Sequence, residues 1–173
     1  MNTKFTAKIM FSNTTGIVHL IASVIALLTG TLVLSITKGT AIHKKVGYLY
    51  AVAMAVLLGT SFMIYRLHGT FGILHIFSVI SSLTLLAGIV PMMLKKPKRY
   101  FSYHVSFMYW SVIGLYCAFC AEVFTRIPFL FEVEEHLFSI FYALVGISAG
   151  LVGGIGSRYF RKYKASWENI DPR

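Results

Sequence analysis

The 173-residue chain is 57% hydrophobic and only 13% charged, too apolar for an ordinary soluble domain. Its formal charge of +10 does not point to nucleic acid, because the basic residues punctuate long apolar runs and do not cluster on a soluble face. What remains is an integral protein of the cell membrane, crossing the bilayer several times.

A membrane-spanning helix takes about 20 mostly apolar residues at about 1.5 Å each. Residues 1–16 form a short polar start carrying Lys4 and Lys8, and the run after it has no clear cleavage site, so it reads as a retained helix. Spans are then predicted over about 17–37, 44–65, 71–94, 104–125 and 137–157. The connections TKGTAIHKK, RLHGT, KKPKRYFSY and RIPFLFEVEEH are short and leave no room for a soluble domain. Residues 158–173 remain as a basic and polar tail, expected to be loosely ordered. The predicted fold is all-α, an antiparallel bundle of five transmembrane helices over 17–157.

Lysine and arginine counts set the expected orientation. Lys38, Lys44, Lys45, Lys95, Lys96, Lys98, Arg99, Arg158, Arg161, Lys162, Lys164 and Arg173 fall on one side; Lys4, Lys8, Arg66 and Arg126 fall on the other. The positive-inside rule then places the N-terminus outside and the C-terminus in the cytoplasm. Glu132, Glu134 and Glu135 lie on the expected outer side.

Histidines follow the helices in a pattern. His68 and His136 belong to outer connections, where solvation accounts for them. His19 on the first helix and His75 on the third share an outer depth; His43 on the second and His104 on the fourth share an inner one. Ionisable groups are costly in a bilayer and normally face the bundle interior, so each is a functional candidate. The bland alternative is a helix-end histidine at the headgroups or hydrogen-bonded to a neighbour. Ala22, Ser23, Ala26 and Gly30 follow His19 on its face, Gly47 follows His43, and Ser78 and Ser82 follow His75, leaving room for a helix or a flat ligand. His104, followed by Phe107 and Met108, lacks that room on its own helix.

Two neutral imidazoles at one level can serve as axial ligands of haem b. In that reading His19 and His75 hold an outer haem and His43 and His104 an inner one, with Lys44 and Lys45 at its propionates. The chain would then be an electron carrier, a transmembrane oxidoreductase between a cytoplasmic or quinol donor and an outer acceptor. The lysine pair also serves as ordinary positive-inside anchoring. A second reading joins His19, His75 and Glu122 at the outer depth, a set suited to zinc or another divalent metal, or to proton coupling, in an enzyme or transporter. Its alternative is a helical ion pair between Glu122 and Arg126. A third reading is a non-catalytic module that packs with a partner or lipid.

Cys117 and Cys120 lie inside an apolar run without a second pair, and read as packing residues. Gly146, Gly150 and Gly154 recur at four-residue spacing in the last helix, a close-packing face that suits docking inside the bundle or a homodimer.

Three stretches carry a family resemblance: HKKVGYLY from His43, GTFGILH ending at His75, and YHVSFMYW through AEVFTRIP. Together they resemble the prokaryotic integral-membrane family known as domain of unknown function 2306, over most of residues 16–128. The resemblance implies a multi-helix membrane protein and brings no established activity. Lys44 stands where the family typically has arginine. The alternation of four histidines is similar, in pattern only, to the cytochrome-b-type transmembrane reductases that pass electrons from ascorbate through two haems.

Overall fold

The computed structural model describes residues 14–64, 71–130 and 138–169. They form five helices: α1 (Thr14–Ser35), α2 (Ala41–Ser61), α3 (Ile73–Leu94), α4 (Tyr100–Leu130) and α5 (Phe138–Glu168). Each is long and apolar enough to cross a membrane. His68, His136, Lys4, Lys8, Arg66, Arg173 and the three glutamates of the fourth connection lie outside the described residues, as does the side chain of Arg126.

Local chemistry explains the helix ends at the basic side of the bundle. After α1 the chain turns at Gly39, whose φ of 80° suits a residue without a Cβ. Thr40 then caps α2, its hydroxyl accepting the His43 N–H at 3.1 Å. The Lys38 ammonium folds back to donate to the carbonyls of Val33, Leu34 and Ile36 at 3.1, 2.6 and 3.1 Å. These are carbonyls at the end of a helix that the helix itself cannot satisfy. Lys95 closes α3 in the left-handed conformation.

The helices pair tightly as α1 with α2, α3 with α4 and α4 with α5, while α2 meets α3 and α1 meets α4 more loosely. The first four therefore close a ring of two hairpins, and α5 lies outside it along α4. Tyr50, Met54, Ser111 and Val112 are fully buried at the ring's centre. The small face of α1 is what admits them: a Cβ on Gly30 would stand 3.0 Å from the Tyr50 ring. The room expected beside His19 is thus filled, in part, by a flat side chain of the protein itself. Large apolar residues such as Leu28, Leu83 and Leu151, each more than 60% exposed, point away from the bundle. Such a surface is stable against lipid and not against water.

α5 differs from its expected form at its end. It remains helical through Glu168, well beyond residue 157, because Phe160 and Trp167 pack on Tyr109 with ring centroids 5.0 and 5.5 Å away. Its glycine stripe is not used inside the bundle: a Cβ on Gly146, Gly150 or Gly154 would meet nothing within 4 Å. The glycine that packs is Gly156, whose Cβ would stand 3.1 Å from Ile113 and whose carbonyl accepts the Tyr109 hydroxyl at 2.8 Å.

Candidate functional site

The antiparallel order brings the start of α1, the end of α2 and the later turns of α4 together at the end opposite the basic one. There His19 is held from both sides. Its Nδ1 lies 3.0 Å from the Thr60 hydroxyl of α2, and its Nε2 lies 3.8 Å from Oε2 of Glu122 on α4.

Hydrogen-bond bookkeeping assigns the protons. The single hydrogen of the Thr60 hydroxyl is shared between the carbonyls of Val56 and Leu57, each 2.9 Å away. With that hydrogen engaged, the Thr60 oxygen is open as an acceptor, and the tautomer that matches it places a hydrogen on His19 Nδ1. The opposite nitrogen then faces a carboxylate oxygen. A neutral imidazole with its hydrogen on Nδ1 would set a lone pair against that oxygen. The contact becomes favourable when a proton lies on Nε2 or on the carboxyl group. The His19 side chain is 13% exposed and that of Glu122 is 35%, so the pair is sheltered without being sealed.

His75 shares this end of the bundle, yet its ring serves its own helix. Its Nδ1 accepts the backbone N–H of Gly72 at 3.2 Å, capping the start of α3, and Phe71 lies beside it at 5.0 Å between ring centroids. Accepting at Nδ1 places the hydrogen of a neutral ring on Nε2. That is the reverse of the arrangement with which an imidazole ligates through Nε2. His19 and Glu122 are brought together, while His75 is engaged with Gly72. Among the described residues no three His, Cys, Asp or Glu side chains gather closely enough to hold a metal ion.

At the basic end His104 of α4 directs Nδ1 at the Gly88 carbonyl of α3, 2.9 Å away. A carbonyl only accepts, so Nδ1 carries the hydrogen and Nε2 keeps its lone pair. Gly88 also marks a close approach of the two helices: a Cβ there would stand 2.8 Å from the Met108 sulfur and 3.1 Å from its backbone nitrogen. The space missing from His104's own helix is supplied by its neighbour. His43 lies within electrostatic reach of His104 and Lys38 and faces the Val33 carbonyl, and its Nδ1 is buried without a hydrogen-bond partner. Lys44 and Lys45 beside it are exposed. Burial pushes the Lys38 ammonium below the ordinary lysine range.

Between these two ends the hairpins meet through hydroxyl groups. Ser61 of α2 donates to Ser78 of α3 at 2.8 Å, the Tyr50 hydroxyl meets Ser111 of α4 at 2.9 Å, and Thr31 of α1 is hydrogen-bonded to Tyr116 of α4. The loosely packed seams are thus bridged by hydroxyl pairs. Thr60, Ser111, Tyr116 and Gly88 escape a reading from sequence, because serine, threonine and tyrosine are common in apolar helices and nothing local marks their partners; Tyr50, which its place near a helix end suggests as an interfacial aromatic, is instead fully buried. Cys117 points its thiol at the Ala149 carbonyl, 3.8 Å away, in the α4–α5 contact.

Fold and site define a class: a bundle of five helices, each long and apolar enough to cross a membrane, with a histidine–carboxylate contact at one end and two histidines at the other. Comparison with protein families, curated proteins and solved structures yields no match.

Proposed function

We infer that this is a proton-coupled membrane protein in which His19 and Glu122 share the working proton. The observation that carries the reading is the two-sided hold on His19: Thr60 engages one ring nitrogen, and the other faces Glu122, with which it can exchange a proton. Imidazole and carboxylate groups so arranged are suited to taking up and releasing a proton. The positive-inside rule assigns the couple to the outer side, so uptake is from outside and the basic end faces the cytoplasm. The test is a protein reconstituted in vesicles with a trapped pH-sensitive dye. Wild type relaxes an imposed pH gradient, and His19→Gln and Glu122→Gln slow it by roughly tenfold or more. Equal relaxation in all three refutes the reading.

A second reading rests on His104. Its Nδ1–H is anchored on Gly88 and its Nε2 lone pair is retained, as an axial haem ligand requires, and the buried Nδ1 of His43 has no partner. His43 and His104 would hold haem b, which when bound supplies one-electron chemistry, making this end an electron-transfer site fed by a quinol or another small donor. The outer pair fits less well, since His75 accepts at Nδ1. Protein expressed with ample haem and lacking a Soret band refutes this second reading.

A further inference from the structure

Apart from the histidines, the basic end carries a cleft of about 300 Å³ where the first turns of α4 converge with the last turns of α5. Arg99, Ser102, Tyr103, Ser106 and Phe107 line one wall and Lys164 the other. Two stripes run up α4 at four-residue spacing: Ser102 with Ser106, and Tyr103 with Phe107. The rings of the second stripe stack at 6.2 Å and 16°.

Charge in the cleft is unequal. Lys164 shares Glu168 at 3.8 Å, and Ser102 is also hydrogen-bonded to Glu168. Arg99 is exposed and has no acidic partner among the described residues. Lys95, Lys96 and Lys98 precede it directly, so the net charge around the cleft is positive. From Arg99 to Phe107 the wall climbs about 12 Å along the helix, from the water edge into the apolar span. A free phosphate would use only the lower part of such a wall. A molecule with an anionic phosphate below and a hydrocarbon chain above would use all of it.

We propose that this cleft binds an anionic glycerophospholipid, its phosphate between Arg99 and Lys164 and an acyl chain along Tyr103 and Phe107. The paired lysine Lys164 contributes less than Arg99 because Glu168 already screens it. The site is independent of the histidines.

Native mass spectrometry of the detergent-purified chain tests this with phosphatidylglycerol and phosphatidylcholine of the same acyl composition. Wild type retains phosphatidylglycerol preferentially. The preference falls by roughly five- to twentyfold in Arg99→Gln/Lys164→Gln, at about fivefold per basic group removed, and survives in the charge-conserving Arg99→Lys/Lys164→Arg. It also survives in Lys44→Gln/Lys45→Gln, which removes the same charge from the same end outside the cleft. Equal retention of the two lipids by wild type overturns the proposal. So does an equal loss in the Lys44/Lys45 variant, which would assign the effect to diffuse surface charge. Displacement of the lipid by equimolar soluble glycerol phosphate would show a phosphate site and overturn the lipid assignment.

Discussion

Gly88 is the position where a single methyl group tests both the packing of α3 on α4 and the anchoring of His104. A Cβ there would stand 2.8 Å from the Met108 sulfur, 2.9 Å from its Cγ and 3.1 Å from its backbone nitrogen. The methionine side chain can swing away; the backbone cannot, so α3 and α4 must separate by a few tenths of an ångström. Overpacking of this kind costs about 1–3 kcal/mol. The same shift stretches the bond from His104 to the Gly88 carbonyl, with about 0.6 kcal/mol at stake for a hydrogen bond between membrane helices. Against this, alanine gains about 1 kcal/mol over glycine in a helix interior. The net expectation for Gly88→Ala is a loss of about 0.5–2.5 kcal/mol. Gly150→Ala supplies the control, since its Cβ meets nothing within 4 Å and only the helix-propensity gain remains. Unfolding in detergent can be followed by a thiol-reactive dye, because Cys117 and Cys120 are free and half-buried. Gly88→Ala should expose the thiols at a lower midpoint than wild type and Gly150→Ala at the same or a higher one. A Gly88→Ala protein at least as stable as Gly150→Ala would refute the close approach of α3 and α4.

The Tyr50–Ser111 bond crosses the buried centre, so Tyr50→Phe and Ser111→Ala should each lower stability by about 1–2 kcal/mol, and the double variant by less than their sum; strict additivity in the same thiol assay would show that the bond contributes nothing. Thr60→Val removes the acceptor for His19 and should slow relaxation of a pH gradient, whereas Thr60→Ser restores it; equal rates for both variants would leave Thr60 without an orienting role. Burial holds Lys38 below its ordinary value of 10.5, so the unfolded chain binds a proton that the folded chain lacks between the lowered value and 10.5. Stability from this group therefore rises with pH through that window. Melting curves of Lys38→Met should lose that increment, and an unchanged slope with pH would argue against the buried placement.

The helices were legible because the property that marks them is local. A run of apolar residues long enough to span lipid is visible without reference to any neighbour, and all five predicted spans correspond to helices. The end of α5 was not legible: Arg158, Arg161, Lys162 and Lys164 look like a solvated tail, whereas Phe160 and Trp167, with Tyr163 stacked on Trp167, continue an aromatic face that only Tyr109 and Trp110 on α4 explain.

Position along the membrane normal is nearly linear in residue number, so the sequence by itself determined which histidines share an end: His19 with His75, and His43 with His104. Rotation about each helix axis depends on which neighbour packs where, and no short periodic signal specifies it. Only the tertiary structure decided that His19 turns to Thr60 and Glu122, that His75 caps its own helix, and that His104 finds its acceptor at Gly88. The physical reason is that a buried polar group takes the nearest partner that satisfies it, and the nearest partner across a bundle lies tens of residues away in the chain.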